Sequence, residues 1–163
     1  MAQSPEGAMQ QKPIVLLVED DRAIGTLVSK RLGDRYQVLV AGTDREACNF
    51  LRLNGRKLQA LMDLQLIGSH LDGVDLIRLI RGCLELDKTP GYARGLARLE
   101  VPIFIASAAP ERVSEAERRE LGLDGAIPKP IDFRFLSLCL AQASIRQVVT
   151  GLQPASAARS AAR

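Results

Sequence analysis

Five times along its length the chain sets a short apolar run against a stretch whose apolar residues recur at helical spacing, a pattern few folds accept. Ile14-Val15-Leu16-Leu17-Val18 is a continuous apolar run of the kind buried on both faces of a parallel sheet. Ile24, Leu27, Val28 and Leu32 then fall at helical spacing, with Gly33 as the stop. Tyr36 to Ala41 reads as a second strand. Thr43 suits the cap of a helix that carries Ala47, Phe50 and Leu51 on one face and ends at Asn54-Gly55. Leu58 to Met62 predicts a third strand running straight into Asp63, and Leu76, Ile77 and Ile80 mark a third helix. Val101 to Ala106 predicts the fourth strand, Pro110 to Leu121 a strongly charged fourth helix, and Gly125 to Pro128 a short fifth strand. Asp132 begins the last helix, with Leu136, Leu140 and Val148 among its apolar positions. Strands alternating with helices in this way predict an α/β domain, a parallel sheet covered on both sides by helices.

Composition excludes several alternatives. Hydrophobic residues make up 47% and charged residues 25% of 163, the profile of a soluble globular chain of one ordinary domain. Aromatics are only 4%, with no Trp, so the core must rest on aliphatic side chains. Cys48, Cys83 and Cys139 lie far apart, are odd in number and have no metal-ligand spacing, which predicts reduced thiols in a cytoplasmic protein. Residues 1–12 have no apolar run and read as a flexible arm; residues 13–150 form the domain. Residues 151–163, rich in Ala, Ser and Arg, read as a disordered tail. No stretch approaches membrane-spanning length. The chain has a net charge of +3 and a pI near 9.0, but several arginines sit in the C-terminal tail, and Glu and Arg interleave over 111–120. That is no coherent basic patch, and no helix-turn-helix remains once the strands are assigned, so direct nucleic-acid binding is not expected.

The strand ends carry the chemistry. The first strand ends in Glu19-Asp20-Asp21, the third in Asp63, the fourth in Ser107 and the fifth in Lys129-Pro130. In parallel sheets ligands bind at the carboxyl ends of the strands, and adjacency would gather these groups in one pocket. Several carboxylates so placed repel one another unless a hard divalent cation sits among them, and Mg²⁺ suits because it takes a few carboxylate oxygens and accepts a phosphate oxygen. A lysine and a hydroxyl facing them are partners for added negative charge. The combination points to phosphoryl transfer onto a carboxylate.

Val18-Glu19-Asp20-Asp21, Asp63 after an apolar strand, Ser107-Ala108 after Ile103-Phe104-Ile105, and Lys129-Pro130, in this order over residues 13–147, resemble the receiver domain of bacterial two-component response regulators. The resemblance implies a flavodoxin-like (CheY-like) five-stranded parallel sheet of order 2-1-3-4-5 with five flanking helices. It implies that Asp63 is the phospho-acceptor, that Glu19, Asp20, Asp63 and the backbone carbonyl of Gln65 hold Mg²⁺, that Ser107 bonds a phosphoryl oxygen, and that Lys129 pairs with the phosphate. The Lys129–Pro130 peptide is cis in such domains. The implied partners are a sensor histidine kinase or phosphotransfer protein and a second copy docked through the fourth and fifth helices and fifth strand. The function expected is that of a single-domain switch, not an enzyme in its own right.

Departures from the family pattern are visible. Ala126 stands where the family carries a Tyr or Phe that swings inward on activation. Ile67 stands where a proline is usual, the loop through Gly68-Ser69-His70-Leu71-Asp72-Gly73 looks about two residues longer than common versions, and Gly82 to Leu99 is an unusually long link with Pro90-Gly91 as its turn. Ala126 keeps open a second reading, a non-phosphorylated adaptor acting by constitutive protein binding. Plainer roles also stand beside the functional ones. Acids favour a helix N-terminus, so Glu19-Asp20-Asp21 could be only that; Ser107 could cap the next helix, and Lys129 could be a surface lysine. His70 is expected as an exposed loop histidine, Asp72 and Asp75 as solvated charges starting the third helix, and Phe133 and Phe135 as core and helix-face packing. Arg112, Arg118 and Arg119 are expected on a solvated face with neighbouring glutamates.

Overall fold

The first apolar run forms β1 (Ile14–Val18), and in the computed structural model, which describes residues 11–152, all of it but Ile14 is withdrawn from solvent. There follow α1 (Arg22–Leu32), β2 (Gln37–Ala41), α2 (Asp44–Asn54), β3 (Leu58–Asp63), α3 (Gly73–Ile80), β4 (Ile103–Ser107), α4 (Glu115–Glu120), β5 (Gly125–Pro128) and α5 (Phe133–Leu152). Every strand pairing is parallel and the order is β2-β1-β3-β4-β5. This is the flavodoxin-like arrangement expected. Strand order reverses at β1, so the crevice beyond the ends of β1 and β3 is where such a sheet places a ligand.

Alternation along the strands divides the core into two layers. Leu16, Val18, Ala60, Met62, Ile103 and Ile105 pack toward Leu51 of α2 and Leu76, Ile77 and Ile80 of α3. Val15, Leu17, Leu61, Phe104 and Ala106 pack toward Val28 and Leu32 of α1 and Leu136, Leu140 and Ala143 of α5. Thr43 caps α2 as expected, its hydroxyl accepting the Glu46 N–H. Cys48, Cys83 and Cys139 are all free, and no described helix is long and apolar enough to cross a membrane.

Several expectations need correction. The helix expected over 110–121 is split: Pro110–Arg112 forms a 3-10 turn, and α4 restarts at Ser114, which shares a capping box with Glu117. Arg118 closes the break by donating to the carbonyls of Pro110 and Val113. Leu27 and Val148, taken as apolar-face residues, are exposed, because the sheet covers only about half of each helix's circumference. Gly33 does close α1 as expected, its N–H donating to the Ser29 carbonyl at 2.9 Å. The last helix runs to Leu152, two residues into the expected tail; the rest of that tail and residues 1–10 of the expected arm lie outside the described residues.

The long link after α3 is ordered by specific bonds. Its Ala93 and Leu99 are buried in the α2–α3 layer, with Leu84, Tyr92 and Leu96 packed against it. Arg81 donates to the carbonyls of Leu99, Val101, Leu121 and Gly122, each at 2.9 Å. One guanidinium thereby ties the end of the link to the turn after α4. Arg52 of α2 donates to the carbonyls of Tyr92 and Arg94.

Candidate functional site

Residue pairing Val18↔Met62 makes Glu19 and Asp63 leave the sheet side by side, and Asp63↔Ala106 and Ser107↔Pro128 bring Ser107 and Lys129 up beside them. Ligand oxygens of Glu19, Asp20 and Asp63 all lie within 4.8 Å of one another. Lys129 reaches across from β5, its ammonium 2.8 Å from Glu19 Oε2 and 3.0 Å from Asp63 Oδ2. Its backbone N–H donates to the Ser107 carbonyl at 2.9 Å, fixing the two strand ends together, and the Lys129–Pro130 peptide is cis.

Burial sets the electrostatics. Glu19 is only 3% exposed and Asp63 8%. Burial pushes the Glu19 carboxyl above its ordinary value, and the hydrogen bonds from Lys129 and the Asp21 N–H only partly offset this. Burial pulls the Lys129 ammonium down, but its bonds to Glu19 and Asp63 outweigh that and hold it above the ordinary lysine value. One ammonium among three carboxylates leaves a local excess of negative charge. The lysine already stands where a cation is favoured, between two of the acids. Oxygens on opposite sides of a bound Mg²⁺ lie about 4.2 Å apart at ~2.1 Å per bond, so the three carboxylates fit this ion with little movement.

The neighbouring residues sort into those that face the pocket and those that build its walls. Asp21 turns away from the pocket and caps α1, its carboxylate accepting the Ala23 N–H at 2.8 Å. Asp20 accepts the Ile67 N–H at 3.1 Å, and Gln65 donates its N–H to Asp63 Oδ1 at 3.2 Å, so both acids brace the loop after β3. Ser107 is buried, and its oxygen accepts the Ala109 N–H at 3.1 Å. The plainer local-cap role is thus present, and the hydroxyl proton stays available. His70 is exposed, as expected. Asp72 does more than carry charge: it caps α3 by accepting the Asp75 N–H at 2.8 Å, while Asp75 pairs with Arg78. Phe133 is partly buried in the core and Phe135 is exposed. Arg78, not the α4 arginines, reaches the side chain of Glu117.

Three residues that matter to this pocket escaped the reading of the sequence. Gly73 starts α3 with its backbone against the end of β3, such that a Cβ there would sit 2.0 Å from the Asp63 carbonyl oxygen. Asp44, at the start of α2, is buried and accepts the Leu71 N–H at 2.9 Å and the Tyr92 hydroxyl; its own N–H donates to Ser69 Oγ at 3.1 Å. The loop after Asp63 is thereby pinned to α2, and Tyr92 of the long link covers the joint, with the Arg45 guanidinium 4.6 Å above its ring. A glycine directly after a cap-type aspartate was the only local sign of Gly73. Nothing near Asp44 in the sequence points to residues some 27 and 48 positions away.

No family model matches the chain, and no curated protein matches it in sequence. Solved structures do. The non-phosphorylated HemR receiver domain from Leptospira biflexa is 30% identical, with 81% of this chain and 94% of that one covered at a TM-score of 0.61. The signal receiver domain of an HD domain-containing protein from Pseudomonas fluorescens is 18% identical, covering 93% of this chain and 100% of the other at 0.68. The chemotaxis protein CheY4 of Vibrio cholerae is 21% identical, covering 81% and 98% at 0.62. With the fold, the strand order and nearly the whole length of these domains shared, the chain belongs to the receiver domains of response regulators.

Proposed function

We propose that this receiver takes a phosphoryl group onto Asp63, with Mg²⁺, from the phosphohistidine of a sensor kinase or phosphotransfer protein, and signals by protein–protein contact. The observation that carries the reading is the Lys129 ammonium held between Glu19 and Asp63, at 2.8 and 3.0 Å, beside a third carboxylate from Asp20. A carboxylate oxygen of Asp63 forms the new bond to phosphorus as the donor's nitrogen–phosphorus bond breaks; the imidazole nitrogen keeps the electron pair and takes up a proton. Glu19, Asp20, Asp63 and the Gln65 carbonyl would hold Mg²⁺, which would supply positive charge beside the phosphoryl oxygens. Lys129 exchanges its Asp63 contact for a phosphoryl oxygen, and the Ser107 hydroxyl donates to another while still accepting from Ala109. Water later cleaves the acyl phosphate in the same pocket.

The added charge biases the loops after β3 and β4 and α4. With Ala126 in place of an aromatic, no large ring on β5 reports the change. The expected setting is the cytoplasm, and the partner surfaces are a kinase-docking face and a dimer face on α4, β5 and α5. Ala126 also supports the second reading, a constitutive adaptor that is never phosphorylated. Mg²⁺ titration and acetyl phosphate labelling separate the two. Wild type should bind Mg²⁺ and gain an acid-stable, alkali-labile phosphoryl group, and Asp63→Asn should lose the group while keeping the fold. A wild-type chain that neither binds Mg²⁺ nor labels establishes the adaptor.

A further inference from the structure

Asp44 is a buried acid with no cation to answer it. Its residue is 3% exposed, and among the described residues no lysine or arginine forms an ion pair with it. Its carboxylate accepts instead from three neutral donors: the Arg45 N–H at 2.9 Å, the Leu71 N–H at 2.9 Å and the Tyr92 hydroxyl. A charge withdrawn from water is costly unless hydrogen bonds replace the water it lost. Each donor therefore matters, and two of the three are brought from distant parts of the chain. Tyr92 is seated for this bond by the helix that carries Asp44. Arg52 of α2 donates to the Tyr92 carbonyl, and the Arg45 guanidinium lies over the ring.

The loop after β3 is fastened at both ends. At its near end Gln65 donates its N–H to Asp63 and Ile67 donates to Asp20, at 3.2 and 3.1 Å. At its far end Leu71 donates to Asp44, and Ser69 Oγ accepts the Asp44 N–H at 3.1 Å. The two fastenings are joined by a few residues of backbone, so a shift at one is felt at the other.

We propose that Tyr92 and Asp44 are positioning residues for the metal site, coupled to it through residues 65–71: closure of their joint favours Mg²⁺ binding beside Asp63, and Mg²⁺ favours closure of the joint. The proposal rests on the reading of Glu19, Asp20 and Asp63 as that site. Neither Tyr92 nor Asp44 touches the reacting atoms. With the joint closed, the Gln65 and Ile67 amides already stand against Asp63 and Asp20. With it open, the loop has to be ordered as the metal binds, and affinity falls by that cost. Coupling of this kind is reciprocal, so the metal must steady the joint by the factor by which the joint assists the metal. The long link thereby acquires a function, since it delivers the one donor to Asp44 that belongs neither to α2 nor to the loop.

Amide hydrogen exchange and Mg²⁺ titration on the full chain test the coupling. Tyr92→Phe removes the hydroxyl and keeps the ring, and exchange at the Leu71 amide should rise at least ~10-fold, since a bond to a buried carboxylate is lost. Tyr36→Phe, at the other tyrosine and in the opposite core layer, should leave that amide unchanged. In wild type, Mg²⁺ should slow Leu71 exchange by about fivefold, and Tyr92→Ala, which opens the joint without altering any charge, should weaken Mg²⁺ binding by a similar factor. Val28→Ala, at a fully buried position of α1, lowers global stability and should leave Mg²⁺ affinity as it was, which separates positioning from loss of stability. Leu71 exchange indifferent to Tyr92→Phe overturns the proposal. So does a wild type that binds Mg²⁺ without slowing Leu71, or a Tyr92→Ala chain that binds Mg²⁺ as wild type does. A wild type that binds no Mg²⁺ at all overturns the metal site and the coupling with it, and the missing binding tells that failure from the others.

Discussion

Replacing Gly73 by alanine tests how Asp63 is seated. At this position the added methyl would lie 2.0 Å from the Asp63 carbonyl oxygen, 2.7 Å from Leu64 Cα and 2.9 Å from the Asp63 carbonyl carbon. Ordinary non-bonded contact is ~3.5 Å, so the start of α3 and the end of β3 must part by more than ~1 Å. The obstruction is backbone, not a side chain that can rotate aside. It is also backbone already committed, since Gly73 donates its N–H to the Leu64 carbonyl at 3.1 Å. Overpacking costs ~1–3 kcal/mol where neighbours can yield; here the upper end applies, and alanine's better helix propensity returns at most ~1 kcal/mol. A net loss of about 2–3 kcal/mol is expected in urea unfolding followed by far-UV circular dichroism. The same displacement moves Asp63 against Glu19 and Asp20, so Mg²⁺ affinity should fall by about an order of magnitude as well. Gly91→Ala, where a Cβ meets nothing within 4 Å, is the control and should be neutral. A Gly73→Ala protein as stable as that control would refute the close approach of α3 to β3.

Three further outcomes follow from the same geometry. Lys129→Met strips two largely buried carboxylates of their cation, and should destabilise the protein by about 2 kcal/mol in EDTA at neutral pH. Mg²⁺ should reduce the deficit, and acetyl phosphate labelling should drop to background; an unchanged unfolding midpoint would show that the pair contributes nothing. Because the folded-state Lys129 value is raised above 10.5, its contribution is fully present below that pH and is lost as pH rises beyond it. Burial raises the Glu19 carboxyl above 4.5, and a metal binds only the ionised form. Mg²⁺ affinity should therefore weaken on acidification from a pH above 4.5, with proton release measurable by calorimetry in two buffers, and Glu19→Gln should flatten the profile. Gln59 is buried in β3, donates to Ser144 Oγ at 2.6 Å, and leaves its own Oε1 without a partner. Gln59→Met removes that orphan while Ser144 keeps its bond to the Leu140 carbonyl, so stability should rise by about 1 kcal/mol; a loss would mean the amide oxygen is satisfied.

What could be read from the sequence divides along a physical line. β1 and β3 are unmistakable because strands buried on both faces leave continuous apolar runs, and the acids and lysine stand at the points where those runs stop. Strand ends are therefore the most legible places in such a fold, and Glu19, Asp20, Asp63 and Lys129 all occupy them. Legibility fails where a residue's role depends on what lies across space. Leu27 obeys helical spacing and is still exposed, because spacing gives the direction of a side chain but not the width of the sheet beneath it. Pro110 opens a turn that satisfies every local rule for a helix start, yet Ser114 and Glu117 offer a second start four residues on, and the side chain of Arg118 stabilises the break between them.

The same limit explains the pocket's supports. Ile67 takes the place of a usual proline, and the loop after Asp63 is long; both changes loosen that loop, whose Gly68 takes a positive φ of 80. The structure answers with anchors from elsewhere. Leu64, Leu66 and Leu71 are buried in the α2–α3 layer, Asp20 and Asp44 hold the Ile67 and Leu71 amides, and Tyr92 covers Asp44. Burial pushes the Tyr92 hydroxyl well above the ordinary tyrosine range, with the Asp44 carboxylate adding to it, so at neutral pH the phenol keeps its proton and donates to Asp44. The loop after β3 and the long link thus meet at one joint: Asp44 holds the Leu71 amide, and the link delivers the Tyr92 hydroxyl to Asp44. Each segment read alone looks like surface variation, whereas together they hold the loop that follows Asp63 in place.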